Sequence, residues 1–410
     1  IPDATSPLRR KYLEFPVEYS AYVQDKLEYA QMIVNVGVRL DYFNSKGKVL
    51  ADPQDPNVYL PQKPENNLLT LDERLAKWYR DASPKWSLSP RLGISYPITD
   101  RGVLHFSYGH FLQIPSFIHL YQNPGYKVTT ASGVQGVFGN PDLETEKTTM
   151  YEFGLQQQLT EQLSFDVTAF CKDTRDWVST SAQIPVRDPE TATSYYTIFV
   201  NRDYANTRGV TLWISKQPLD MFLFNFSYTF QVAEGNNSNP DEEQGAQQAN
   251  REPTRTLSPL DWDQTHTINF TGGIQQQDWN ISMIGRYGSG FPYTPVLNQA
   301  EGRGEDANRT IPKNSRRRPA TFTVDLTASK TFDLGFSKLV AFVRVFNLLD
   351  RRNEMTVYGE TGRSTASVTN LGAAPINQNP GRVNSVEQYI LRPDYFSEPR
   401  EVQLGFEINF

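Results

Sequence analysis

Residues Glu401–Phe410 read EVQLGFEINF, which places Val402, Leu404, Phe406, Ile408 and Phe410 on one side of an extended chain and Gln403, Glu407 and Asn409 on the other. Successive side chains of a strand point to opposite faces, so this segment has one greasy face and one wet face. The same period of two recurs far upstream. Val34, Val36, Val38, Leu40 and Tyr42 alternate with Asn35, Gly37, Arg39 and Asp41. Phe222, Phe224, Phe226, Tyr228 and Phe230 alternate with Leu223, Asn225, Ser227, Thr229 and Gln231, and Phe322, Val324, Leu326 and Ala328 alternate with Thr323, Asp325 and Thr327. Helical spacing is nearly absent, so the expected fold is all-β.

Segments of this kind predict roughly thirteen strands, near 16–27, 31–43, 86–98, 101–112, 144–159, 162–180, 196–217, 220–233, 263–275, 277–289, 319–331, 337–350 and 398–410. The links between them carry a second signal. Tight links at Glu28–Ala30, Thr99–Asp100, Thr160–Glu161, Pro218–Leu219, Gln276 and Phe332–Phe336 alternate strictly with long ones at 44–85, 113–143, 181–195, 234–262, 290–318 and 351–397. In an up-and-down barrel consecutive links fall on opposite rims, and outer-membrane barrels have short periplasmic turns and long extracellular loops. The long links are rich in Gly, Pro, Asn and Asp, as in Glu234–Asn239 and Ala373–Gly381, and are expected to be structureless surface loops.

Composition agrees with strands that span a membrane. The 410 residues are 21% charged, 38% hydrophobic and 12% aromatic, with a mean hydropathy of −0.54. No stretch approaches the roughly 18–20 apolar residues of a spanning helix, whereas a strand with one lipid face and one lumen face keeps a soluble-like average. A soluble β-sandwich also alternates, with its apolar side turned inward. Link parity, and apolar faces rich in rings with no recognisable partner layer, favour lipid. The net charge of −6 is spread along the chain and argues against a nucleic-acid partner. Cys171 is the only cysteine, which excludes an intrachain disulfide and any CxxC motif. Ile1–Arg10 carries no secretory signal, so the sequence is read as starting downstream of a native N-terminus.

Seven stretches carry a family resemblance: Tyr22–Lys26 (YVQDK), Val36–Tyr42 (VGVRLDY), Ser89–Tyr96 (SPRLGISY), Gly139–Lys147 (GNPDLETEK), Asn206–Val210 (NTRGV), Leu260–His266 (LDWDQTH) and Phe346–Asp350 (FNLLD). In this order, with the terminal Phe410, the sequence resembles the C-terminal β-barrel portion of TonB-dependent outer-membrane receptors, in particular the branch with carboxypeptidase-regulatory-like N-terminal extensions. That resemblance implies a bacterial outer-membrane location and a 22-stranded barrel, of which about thirteen strands would lie here. The N-terminal plug and first strands would lie upstream. It implies energy-coupled uptake of a large or scarce nutrient, such as an iron chelate, cobalamin, a glycan or a peptide. It also implies as partners outer-membrane lipid and lipopolysaccharide, the protein's own plug and a TonB-type coupling protein reached through that plug, with a surface lipoprotein as a further candidate. Phe406, Ile408 and Phe410 resemble the family's assembly signal. A passive porin would share the alternation and link parity without needing a plug, and a surface adhesin or assembly barrel would share the long loops.

Charged positions that parity turns to the lumen are Arg39, Asp41, Glu152, Asp166, Arg286, Asp325 and Arg344, the candidates for ligand or plug contact. Most residues of a polar lumen serve only to be wet, so each has a bland reading beside the functional one. Arg316, Arg317 and Arg318 form a basic cluster near the outer rim. Guanidinium groups suit phosphate, so lipopolysaccharide or an acidic substrate is one reading and solvated loop charge the other. Asp261 and Asp263 flank Trp262, but two carboxylates are too few for a calcium site. His105, His110, His119 and His266 lack zinc spacing, and no GxSxG elbow, P-loop or dinucleotide fingerprint occurs. The acidic pair Glu242 and Glu243 sits in a polar loop run. The expectation is therefore a transporter without catalytic residues, metal or cofactor.

Overall fold

The computed structural model describes residues 6, 12–29, 31–129, 132–188, 190–217, 221–248, 256–297, 311–365, 367 and 392–409. The alternating segments become thirteen antiparallel strands, each hydrogen-bonded to its neighbours in sequence order. They are β1 (Val17–Tyr29), β2 (Met32–Asn44), β3 (Lys85–Thr99), β4 (Gly102–Gln113), β5 (Glu146–Gln158), β6 (Leu163–Thr180) and β7 (Ser194–Lys216). There follow β8 (Phe222–Gly235), β9 (His266–Gln275), β10 (Trp279–Gly288), β11 (Thr321–Asp333), β12 (Lys338–Phe346) and β13 (Glu401–Asn409). Three further short strands, Gly133–Phe138, Ile184–Pro185 and Ser258–Pro259, join the same sheet from the long links.

Register decides what the sheet does with its greasy residues, because a slip of one would send them to the opposite face. Leu27 lies opposite Val34, which lies opposite Ile94, and the row continues through Phe106, Phe153, Ala169 and Val210 to Phe230. A second row runs from Ile274 through Ile281, Ala328 and Val343 to Leu404. All these side chains share one face, and no second layer of the described residues covers it: Phe153 is 56% exposed, Leu404 77% and Phe406 74%. An unbroken apolar face of this extent in water would cost about 25 cal/mol per Å2, whereas in a bilayer it is the surface that faces lipid. Among the described residues no helix is long and apolar enough to cross a membrane.

The long links differ from the structureless loops expected of them. Within 44–85 lie the helices α1 (Pro64–Asn67) and α2 (Leu71–Trp78), within 113–143 lies α3 (Phe117–Tyr121), and α4 (Glu242–Gln248) lies in 234–262. Helix α2 starts at a capping box: the Thr70 hydroxyl accepts from the Glu73 amide, while the Glu73 carboxylate accepts from the Thr70 amide at 2.8 Å. The helix delivers Trp78 to a core of Leu50, Val58, Tyr126, Val128, Phe138, Val186 and Tyr196, drawn from three separate links and from β7. Burial, not chain flexibility, therefore organises this end of the molecule.

Strand β7 makes that core possible. Its 23 residues are about twice the ~9–11 a spanning strand needs. The lower part, Ala205–Lys216, pairs with β6 and β8 in the wall. The upper part, Ser194–Ile198, pairs in parallel with Gly133–Phe138 and antiparallel with Ile184–Pro185. It carries the fully buried Tyr196, whose hydroxyl donates to the Pro53 carbonyl at 2.6 Å. A second core of Phe43, Leu120, Tyr121, Val137, Leu143, Val178 and Phe199 seats α3 on the strand tops.

The predicted strand 337–350 stops at Phe346, which corrects its far boundary. Asn347 and Asp350 adopt positive φ of 48° and 50°, a conformation asparagine and aspartate tolerate better than most residues. The Asn347 side chain donates to the carbonyls of Arg351 and Glu398 at 3.0 Å each, and the Arg400 amide donates to Asp350 Oδ1 at 2.9 Å. The FNLLD stretch is thus a bend that ties β12 to the start of β13.

Candidate functional site

On the wet face, β1–β5 form a trough. Gly37, Gly93 and Gly109 lack the side chains that would fill it, because Gly37 opposes Arg91, Arg91 opposes Gly109 and Gly93 opposes Asn35 across the ladder. The depression holds about 540 Å3 and is walled by Tyr22, Gln24, Arg39, Arg91, Phe111 and Glu152. A Cβ on Gly109 would lie 3.3 Å from the Phe111 ring and 3.5 Å from Arg91 Cγ, so a side chain there would press on the ring and touch the arginine stem. Arg91 Cζ sits 5.1 Å from the Phe111 ring centroid, a cation–π distance. A second depression of about 240 Å3 adjoins the first and shares Arg39, Arg91 and Phe111.

All seven lumen candidates lie on this wet face, and the structure gathers only some of them. Arg39 and Glu152 line the trough. Arg39 Nε donates to Asp41 Oδ1 at 2.9 Å, two residues along the same strand. Asp166 accepts from the Thr168 hydroxyl at 2.7 Å, lower on β6. Arg286 and Asp325 pair with each other at 3.1 Å, and the other Asp325 oxygen accepts from the Asn347 amide at 2.9 Å. Both are committed to the wall and its last bend. Arg344 packs its guanidinium 4.7 Å from the Phe342 ring centroid. Arg91 escaped the sequence reading, although the parity that selects Arg39 selects it too; Tyr22 and Phe111 escaped because a ring at a wet position carries no charge to flag it.

The rim cluster divides. Arg316 and Arg317 form a two-residue strand against Pro292–Tyr293. The Arg317 guanidinium pairs with the Asp263 carboxylate and donates to the Asp263 carbonyl at 2.8 Å, while Arg318 donates to the Met355 carbonyl at 2.9 Å. Asp263 also accepts from the Ala233 amide at 2.8 Å, and Asp261 accepts from Asn314 at 2.7 Å. The LDWDQTH stretch is therefore a clasp between the links that follow β8 and β10. Among the described residues no group of three or more His, Cys, Asp or Glu is placed to hold a metal. Phe406 and Ile408 stand on the apolar face, and Phe410 lies outside the described residues.

Asp263 is 1% exposed and Arg317 38%, so the pair is only half in water. Asp263→Asn keeps an acceptor for the Ala233 amide but leaves the guanidinium without its counter-charge. The expected cost is about 1–2 kcal/mol, read as roughly tenfold faster tryptic cleavage after Arg316 and Arg317. An unchanged cleavage rate would show the clasp to be ornamental.

The GNPDLETEK stretch is a second clasp. Burial alone would push the Asp142 carboxyl up, but the Ser83 amide, the Lys85 ammonium and Arg80 together hold it below the usual carboxylate range. A depressed folded pKa contributes stability that is present above the unfolded value near 4 and is lost as pH falls through the folded value. The protection of the Ser83 amide from hydrogen exchange, relative to its intrinsic rate at each pH, should therefore fall below about pH 4, and the fall should be absent in Asp142→Asn, which lacks the titrating group.

A family model described as TonB dependent receptor-like, beta-barrel, matches residues 10–348. Among solved structures the chain is similar to the ferric citrate transporter FecA in the unliganded form, with 13% identity, a TM-score of 0.52, and coverage of 96% of this chain and 44% of that one. It is similar to P. aeruginosa FpvA bound to heterologous pyoverdines at 12% identity and a TM-score of 0.52, covering 95% of this chain and 38% of that one. It is also similar to the FrpB iron transporter from Neisseria meningitidis at 12% identity and a TM-score of 0.52, covering 82% and 42%. At these identities the likeness is one of fold, and the chain spans about two fifths of the length of the solved proteins it matches. No protein of curated function matches the sequence.

Proposed function

Because this chain belongs to the TonB-dependent receptor family through its β-barrel domain, we propose that it forms the loop-bearing wall of an outer-membrane receptor importing a large or scarce nutrient. The observation that carries this reading is the pairing of an uncovered apolar face with a wet face, with long links folded into two cores at one end. In this reading the folded links meet the ligand first. The trough around Arg39, Arg91 and Glu152 then offers a polar surface to the ligand or to the receptor's own plug. Energy would come from a TonB-type coupling protein acting on that plug. The apolar face contacts lipid, and Arg316 remains the cluster's candidate for a lipopolysaccharide phosphate.

Fractionation of cells expressing the full gene tests this, together with gel mobility of the unheated and boiled detergent-solubilised protein. A heat-dependent shift in the outer-membrane fraction supports the receptor. Recovery without detergent, with no shift, overturns it in favour of a soluble β-sandwich. Uptake that persists without the energy-coupling complex would favour a passive porin.

A further inference from the structure

Helix α4 is a joint between two groups of folded links. On one side Gln247 Nε2 donates to the Ser181 carbonyl at 3.1 Å, in the link that also sends Val186 into the first core. On the other, Glu242 pairs with Lys313, which precedes the clasp residues Asn314 and Arg317. Between them Glu243 is 2% exposed and pairs with Arg202 of β7, and Gln247 Nε2 donates to it as well, at 3.1 Å. The next residue of β7, Asp203, is a second buried carboxylate, 4% exposed, and Asn237 donates to it at 2.9 Å. The register of β7 on β6 slips on both sides of Asp203, and bulges of this kind re-aim side chains. Consecutive residues of one strand thus both act on Glu243, Arg202 by attraction and Asp203 by repulsion.

Two carboxylates buried beside one guanidinium are most stable with a single proton between them. Asp203 stands above the wall part of β7, under the links. Burial pushes its carboxyl above the usual carboxylate range and Glu243 pushes the same way, while the donors Asn237 and Ser179, with Arg202, offset this only in part. At the start of the helix Asp241 acts on His119 of α3, whose ring burial lowers in pKa. We propose that α4 is a proton-operated latch, which holds the two groups of links together when Asp203 carries a proton and loosens when Asp203 and Glu243 are both ionised. A folded value raised above the unfolded one near 4 contributes stability that is fully present below the unfolded value and is lost as pH rises through the folded one. Acid therefore closes this latch, whereas it weakens the clasp at Asp142. The latch works whatever the links capture, and so adds to the receptor reading.

Hydrogen exchange read by mass spectrometry on the full-length protein in detergent, between about pH 4 and about pH 7.5, is the test. The protection of peptides covering Glu242–Gln248, relative to the intrinsic rate at each pH, should fall as pH rises. In Asp203→Asn, which cannot ionise, protection should stay high throughout. In Glu243→Gln the repulsion is gone and Arg202 is left beside Asp203, so the midpoint of the fall should move to lower pH, with protection about tenfold weaker overall for want of the ion pair. Protection that is flat in the unsubstituted protein, or that falls in acid as protonation of His119 would make it, overturns the latch. So does a fall retained in Asp203→Asn, or an unmoved midpoint in Glu243→Gln. The heat-dependent mobility shift reports whether each variant has assembled its wall; if Asp203→Asn has not, the midpoint in Glu243→Gln decides.

Discussion

Tyr196→Ala is expected to destabilise the folded links by about 3–5 kcal/mol while leaving the barrel wall standing. The estimate follows from truncating a buried aromatic side chain whose surroundings relax only partly. It includes loss of the bond to the Pro53 carbonyl, which leaves a buried acceptor unpaired. Tyr196 joins the links that contribute Val58, Tyr126 and Val186, so its loss should expose all three at once. Limited proteolysis is the measurement: cleavage within 44–85 and 113–143 should accelerate by orders of magnitude, with the heat-dependent mobility shift unchanged. Acceleration in one link alone would mean that they do not share a core.

Phe153→Arg addresses the other end of the argument. Phe153 sits in the middle of β5 on the apolar face, between Phe106 and Ala169. A guanidinium facing lipid near the midplane costs about 2–4 kcal/mol, so the folded fraction in the outer membrane should fall sharply. Ser107→Arg places the same charge on the neighbouring strand but on the wet face, and it should assemble normally. Equal loss in both would sink the assignment of the two faces.

The wall was legible because its signal is local. A strand with lipid on one side and a wet lumen on the other must alternate, and the predicted 31–43 and 162–180 fall within a residue of Met32–Asn44 and Leu163–Thr180. The folded links were not legible, because their cores are assembled from single residues far apart in sequence and have no period. One local signal was present and passed over: Thr70 and Glu73 form a capping box before Leu71, Leu75 and Trp78, which recur at helical spacing. The candidate site divides in the same way. Arg39 and Asp41 pair within a strand, two residues apart, as parity allows. The clasp between Asp263 and Arg317 joins residues 54 positions apart, and nothing short of the fold brings them together.

Strand β7 also fixes an order of assembly. Its bond from Tyr196 to Pro53 spans 143 residues, and the second core needs Phe199 against Phe43. The hairpins of the wall can zip one after another through local contacts, whereas contacts this distant in sequence form late. The links after β2 and β4 must therefore wait, unpacked, until β7 has been threaded beside β6.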